Sequence, residues 1–347
     1  MTVLTAPTVP ARQEDDADLR PLPWRRMAWV TWRQHRAALA GVAALLAVLA
    51  VYLWLTGLQI HHAYATACHP ASSLACAINF TGRYGITGII ISIFLQAVPA
   101  LIGAFAGAPV LARELETGTF RFAWTQGFGR WRWTLAKLVL LAVVVTAAAG
   151  AFSVLYSWYD QPFFASGYAI PFSTRVFDLG EVAFAAWTLA AFSIGALAGM
   201  LIRRVVPAIA AALAAYTGLA VATALYLRQH YMTPLLTSNP NLPGSAWSVS
   251  QWYTRGGKFA FPAQGGQLVR AVNHFCGAGI TINGRRPARV FNGSPAQCLS
   301  RHGYTQWTSY QPGGRFWPFQ WIEGGWLLAL SVLLIAATVW LVRRRAA

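Results

Sequence analysis

The sequence predicts an all-α integral membrane protein with six transmembrane helices, both termini cytoplasmic and a large extracytoplasmic loop between helices 5 and 6. Three observations predict it. Of 347 residues, 56% are hydrophobic and only 11% charged, and the apolar residues gather into runs near the ~20 residues that cross ~30 Å of hydrocarbon. The basic residues flank those runs on one side far more than on the other. All four cysteines fall in segments that this bias places outside, the nine basic residues of the long loop counting for little because long loops translocate largely regardless of charge.

From Met1 to Pro23 the chain is polar, carries Glu14, Asp15, Asp16 and Asp18, and reads as a disordered cytoplasmic tail rather than a secretory signal. From Trp24 to Arg36 tryptophans alternate with arginines, as in an interfacial segment that leads into a span. The spans then run from Ala38 to Thr56, Gly88 to Leu111, Leu138 to Trp158, Val182 to Ile202, Val206 to Leu227 and Trp326 to Val342. The fourth and fifth are broken only by Arg203-Arg204 and Pro207. As one helix, their 46 residues would rise about 69 Å, twice a bilayer, so a tight hairpin is forced.

Orientation follows from the basic residues. With the N-terminus inside, the cytoplasmic segments hold sixteen, and the two short outer loops hold only Arg83 and Arg175. The positive-inside rule then places both termini in the cytoplasm. The formal charge of +17 is explained by that bias and by headgroup contact, so nucleic acid is not an expected partner; the lipid bilayer is. The chain divides into the tail (1–23), the interfacial helix with helices 1–5 (24–227), the loop domain (228–325) and helix 6 with a basic tail (326–347).

Cys68 and Cys76 lie in the first outer loop and Cys276 and Cys298 in the long one. An oxidising exterior makes two disulfides the simplest expectation, within-loop pairing being the first of three connectivities. The alternative is a metal set of Cys68 and His69 with His61 and His62, for which no repeated CxxC spacing speaks. The long loop is rich in Gly, Pro, Ser, Asn and Gln with scattered aromatics and has no sustained helical or strand period, so a compact lid of short elements is expected. Its end, from Arg315 to Glu323, reads as an aromatic belt entering the last span.

Catalytic and nucleotide-binding motifs are missing. Gly256-Gly257-Lys258 is followed by Phe259 and is not a P-loop; neither GxSxG nor HExxH occurs. No cofactor is expected on this chain. No Asp, Glu, Lys or Arg falls within the spans as drawn, which counts against ion-coupled transport; Glu181 and Glu323 stand at outer borders, where solvation is the simple reading. The polar side chains within the spans are mild, among them Gln96, Thr188, Ser193, Tyr216 and Thr217. They are candidates for a substrate path or for helix–helix hydrogen bonds. Gly103-xxx-Gly107 and Gly195-xxx-Gly199 permit close helix approach.

The longest charged interruption on the cytoplasmic side runs from Arg113 to Lys137. It holds Glu114 and Glu116, then Thr117-Gly118-Thr119, where Gly118 breaks the helix and Thr119 is placed to cap a new one. Phe120, Ala123 and Trp124 give that short helix an apolar face, with Arg121 elsewhere. At Arg113-Glu114-Leu115-Glu116-Thr117-Gly118-Thr119 the chain resembles permease subunits of ABC-2 type transporters, most closely actinobacterial ones, in a likeness extending from Trp24 to Arg345. The resemblance implies a bacterial plasma-membrane protein that dimerises with a second permease copy, identical or not. It also implies a separate nucleotide-binding ATPase subunit, which binds ATP and Mg. The loop after span two would form the coupling helix on that subunit, a role carried onto Glu114, Glu116, Thr117, Gly118, Thr119 and Arg121.

The expected function is therefore a transporter subunit and not an enzyme. A path lined by apolar side chains, a few hydroxyls and Gln96 suits a lipophilic or amphipathic cargo such as a drug, antibiotic or lipid-like molecule, moved outward. The alternative is a receptor or immunity component that displays the outer loop and moves nothing, with a membrane enzyme third.

Overall fold

The computed structural model describes residues 24–68, 74–118, 130–167, 169–239, 242–276 and 295–345. The 1–23 tail, Thr119, Arg121 and the apolar face after them, His69 and the tip of the long loop lie outside these. Six helices among the described residues are long and apolar enough to cross a membrane, over Ala28–Ala67, Ile78–Thr117, Trp131–Ala165, Glu181–Ile202, Val205–His230 and Gly313–Arg344.

The first is α1 (Trp24–Ala67), about 66 Å long, so the Trp/Arg segment continues span one instead of forming a separate interfacial helix. Trp29 and Trp32 remain exposed on it. Helix α2 (Leu74–Ile102) passes through a π-helical turn at Gly103–Gly107 into α3 (Pro109–Thr117). Pro109 enters at the first position of α3, and Gly118 closes it in the left-handed conformation at φ 70°, which only glycine adopts cheaply. Helix α4 (Arg130–Ala165) is followed by the short α5 (Thr174–Phe177), α6 (Glu181–Ile202) and α7 (Val205–Ala222), and a π turn (Thr223–Leu227) and a 3₁₀ turn (Arg228–His230) complete span five. The hairpin forced by length is present. Arg203, at φ 60°, ends α6 and Arg204 begins α7.

Helix α6 lies at the centre of the bundle, and its glycines explain how. A Cβ on Gly103 would meet the Ala191 backbone oxygen at 2.5 Å, and one on Gly107 the Phe192 oxygen at 2.6 Å. Gly195 and Gly199 are closed off in return by the backbones of Gly103 and Ala108. The two small-residue pairs thus face each other, and the backbones of spans two and four touch.

The segment after span five is a folded unit with strands, which sequence period alone did not reveal. It contains β1 (Leu235–Thr237), β2 (Trp247–Arg255), β3 (Lys258–Pro262), α8 (Gly266–Cys276), α9 (Pro295–Arg301) and β4 (Tyr304–Gln311). The strands form one antiparallel sheet in the order β1-β4-β2-β3, with Trp252 opposite Trp307 and Tyr253 opposite Phe261. Gly256 and Gly257, at φ 57° and 78°, make the two-residue turn between β2 and β3; left-handed conformation at both central positions matches the twist of a hairpin. The all-α expectation therefore holds for the membrane part alone. Tyr253, Phe261, Val272, Leu299 and Tyr304 form a small core, stapled by the Cys276–Cys298 disulfide across 6.0 Å between Cα atoms. Cys68 is disulfide-bonded too; the side chain of Cys76 lies outside the described residues.

The last helix, α10 (Phe316–Arg345), starts ten residues earlier than Trp326. Its first turns do not all face lipid: Phe316 and Phe319 pack with Phe172, Phe177 and Trp247, whereas Trp317 and Trp321 are exposed, as a belt requires.

Candidate functional site

Two clusters of charged side chains bracket the bundle, one at the end bearing the Arg203-Arg204 hairpin and one at the end bearing the sheet domain. At the hairpin end, Glu114 and Glu116 are both engaged within the chain. Glu114 Oε1 accepts a 2.6 Å hydrogen bond from Lys137 Nζ, which also reaches the Val110 carbonyl at 3.3 Å. Lys137 is 1% exposed, so the pair supplies the counter-charge that a buried ammonium requires. Glu116 Oε2 accepts from the Val205 backbone N–H at 3.0 Å. That N–H is among the unpaired donors at the start of α7, where a carboxylate is favoured by geometry and by the helix dipole. Thr117 Oγ1 returns to the Arg113 carbonyl. Helix α3 is therefore tied to span three and to the hairpin between spans four and five, immediately before the segment at 119–129.

At the domain end, the sequence reading of Glu323 as a solvated border acid is overturned: Glu323 is fully buried. Its Oε1 accepts from Trp187 Nε1 and Arg228 Nη2, both at 2.9 Å, and its Oε2 from Arg228 Nε at 3.1 Å and Tyr231 OH at 3.0 Å. Tyr231 OH in turn accepts from Trp326 Nε1. Arg228 also pairs with Asp178 and stacks over the Phe177 ring at 4.2 Å. Burial raises the Asp178 carboxyl to about 7, Arg228 pulling it down and Glu323 pushing it further up. Next to this network Gln320 accepts from Ala183 N–H and donates to the Phe177 carbonyl. The result is a bidentate, charge-assisted joint that binds α10, the end of span five and the α5 loop together.

The proposed path residues separate into two groups. Gln96, Tyr216 and Thr217 line one cavity of ≈ 290 Å³ between spans two, four and five, with Trp187 and Asp178 on its wall; Gln96 Nε2 is turned to the Thr174 carbonyl at 2.7 Å. Thr188 and Ser193 are buried away from it and bond to the carbonyls of Phe184 and Leu189 in their own helix. Sequence reasoning missed Lys137, Asp160, Arg228 and Asp178, because hydropathy ends the spans one or two residues short of the first three and leaves Asp178 in a loop. Among the described residues no three His, Cys, Asp or Glu side chains gather as a metal set.

A family model described as ABC-2 membrane transporter related matches residues 43–228. That stretch runs from span one to Arg228 and contains the α3 ties and, of the buried joint, Asp178, Trp187 and Arg228. No curated protein and no solved structure matches the chain.

Proposed function

The chain belongs to the ABC-2 membrane transporter related family and is a multi-pass membrane permease subunit, and from that premise we propose that it exports a lipophilic or amphipathic compound, driven by a separate ATPase subunit. In this reading the hairpin end faces the cytoplasm and the sheet domain the exterior, in keeping with the arginine bias. The ATPase, with its ATP and Mg, rests on the segment after Gly118. A second permease copy completes the path.

The observation that carries the substrate class is the cavity of Gln96, Trp187, Tyr216 and Thr217. Its walls are aromatic and aliphatic with a few hydrogen-bonding groups, and the one acid on them, Asp178, is already paired with Arg228, which also holds Glu323. Such a surface rewards apolar area with an oriented polar group and leaves a small, highly charged solute uncompensated. The coupling acids act here as ties, passing movement of the 119–129 segment to spans three, four and five.

The test reconstitutes the chain with its ATPase in liposomes and follows efflux of a lipophilic dye with the proton gradient collapsed. ATP-dependent efflux that persists is the expected result. Efflux that ignores ATP and stops with the gradient would instead identify a proton-coupled carrier. The folded, disulfide-bonded outer domain favours one second reading, a receptor that displays it; co-purification without any ATPase subunit would support that reading over export.

A further inference from the structure

Near the domain end of α4, 23 residues past Lys137 and so roughly 35 Å along the helix, stands a carboxylate that the fold leaves incomplete. Asp160 is 4% exposed. Its Oδ2 is buried and has no hydrogen-bond partner among the described residues. A buried carboxylate oxygen without a donor costs several kcal/mol on the usual scales, and neighbouring acids show the contrast: Glu323 fills every oxygen position with a donor.

Asp160 lies on the wall between two cavities. One, of ≈ 460 Å³, is bounded by Ser92, Phe163 and Ala169 and has Arg175 among its lining residues. The other, of ≈ 390 Å³, is bounded by Tyr156, Phe164, Phe316 and Trp317 and shares its lining with Glu181. Charge separates the two. A cation approaching Asp160 through the first meets Arg175; through the second it meets a second acid and four aromatic residues, whose ring faces attract cations. The volume suits a single-chain amphiphile and not a bare ion, which the aromatic walls would leave unsolvated.

We propose that Asp160 and the cavity it shares with Glu181, Phe316 and Trp317 form a binding site for the ammonium head of an amphiphilic amine. The head pairs with the Asp160 carboxylate, which lines the cavity and whose charge no other described residue neutralises by a hydrogen bond or ion pair, and the hydrocarbon body lies against Phe164, Phe316 and Trp317. No bond is made or broken. The site narrows the cargo of the proposed exporter from amphipathic molecules at large to those with a cationic head, and it rests on that reading for its physiological role but not for its existence.

The experiment is binding to the full chain alone in lipid nanodiscs, without an ATPase, so that it does not depend on transport. Equilibrium dialysis at pH 7.5 compares decylamine, charged at that pH, with decanol, and empty nanodiscs are subtracted. Saturable decylamine binding is expected in the wild type, weakened at least tenfold in Asp160→Asn and less in Glu181→Gln, with decanol unchanged. Ser157→Trp, which fills the same cavity and keeps the carboxylate, is expected to abolish binding and covers the case in which the Asn variant fails to fold. Equal retention of the amine and the alcohol, or full decylamine affinity in both Asp160→Asn and Ser157→Trp, overturns the site. Saturable binding by a chain that exports nothing in liposomes overturns the exporter reading and leaves the site standing.

Discussion

Glu323 and Arg228 are 95 residues apart in sequence and fully buried against each other. Removing one partner strands the other's charge away from water, at a cost of about 3–5 kcal/mol, whereas replacing both by apolar residues of similar volume is often neutral. Arg228→Met is therefore expected to lower the melting temperature of the purified protein sharply, and Arg228→Met with Glu323→Met to recover most of the loss. A single variant as stable as the wild type would mean that the joint carries no stability. Asp178, the third member, adds a pH dependence of known sign. Its carboxyl titrates near 7 in the fold against ~3.9 in an unfolded chain, so between those values the folded protein binds the extra proton. Stability from this group falls as the pH rises from about 4 through 7 and is flat above. Melting temperatures of wild type and Asp178→Asn across pH 5–8 should converge at the acid end and diverge at the basic end, the Asn variant being the more stable; parallel curves would remove Asp178 from the titration. None of this was legible in the sequence. Hydropathy ends span five at Leu227 and begins span six at Trp326, so Arg228 and Glu323 fall one and three residues outside, and their burial is decided by the pairing of distant segments.

Elements were more legible where length or spacing constrained them. A run of 46 residues with no charge but Arg203 and Arg204 had to fold into a hairpin, and those two form it. The two GxxxG pairs allowed a close crossing, and the structure brings them face to face. That contact yields a test at its own scale: a Cβ on Gly195 would run into the Gly103 carbonyl and the Ala108 backbone, atoms of rigid helix that cannot swing aside. Gly195→Leu is expected to reduce the yield of folded protein in membranes and to lower its melting temperature, whereas Gly218→Leu, with nothing within 4 Å of its Cβ, should do neither. Equal tolerance of both would show that spans two and four do not need this contact. The sheet was the least legible element although its signal was present. Gly256-Gly257 between two strand-like runs is a hairpin motif, but β2 alternates poorly because only Tyr253 of its residues is buried, the domain's core being small.

On the scale of the whole molecule, the question is how a push at one end reaches a cavity near the other. Helix α3 is joined to span three through Glu114–Lys137 and to the head of α7 through Glu116 and Val205, while the π turn at Gly103–Gly107 connects α3 to span two against the central α6. The acidic pair was legible as a charged feature between two spans; that it points inward was not, because Val205 lies two spans further on and the pairing of Glu114 with Lys137, at the far end of the same interruption, is decided by packing. The two ties separate experimentally. Glu114→Gln leaves the Lys137 ammonium with a neutral partner in a buried place and is expected to cost stability before anything else. Glu116→Gln keeps an acceptor near Val205 N–H and loses only charge at a helix start, about 0.3–1 kcal/mol, so its fold should survive. If export is driven through α3, Glu116→Gln assembled with the ATPase subunit should keep basal ATP hydrolysis and lose several-fold of the stimulation that cargo provides, with efflux falling in parallel. A variant that keeps full stimulation and full efflux would show that α7 is not moved through Glu116, and the Glu114–Lys137 tie to span three would then be the remaining route from α3 to the cavity of Gln96 and Tyr216.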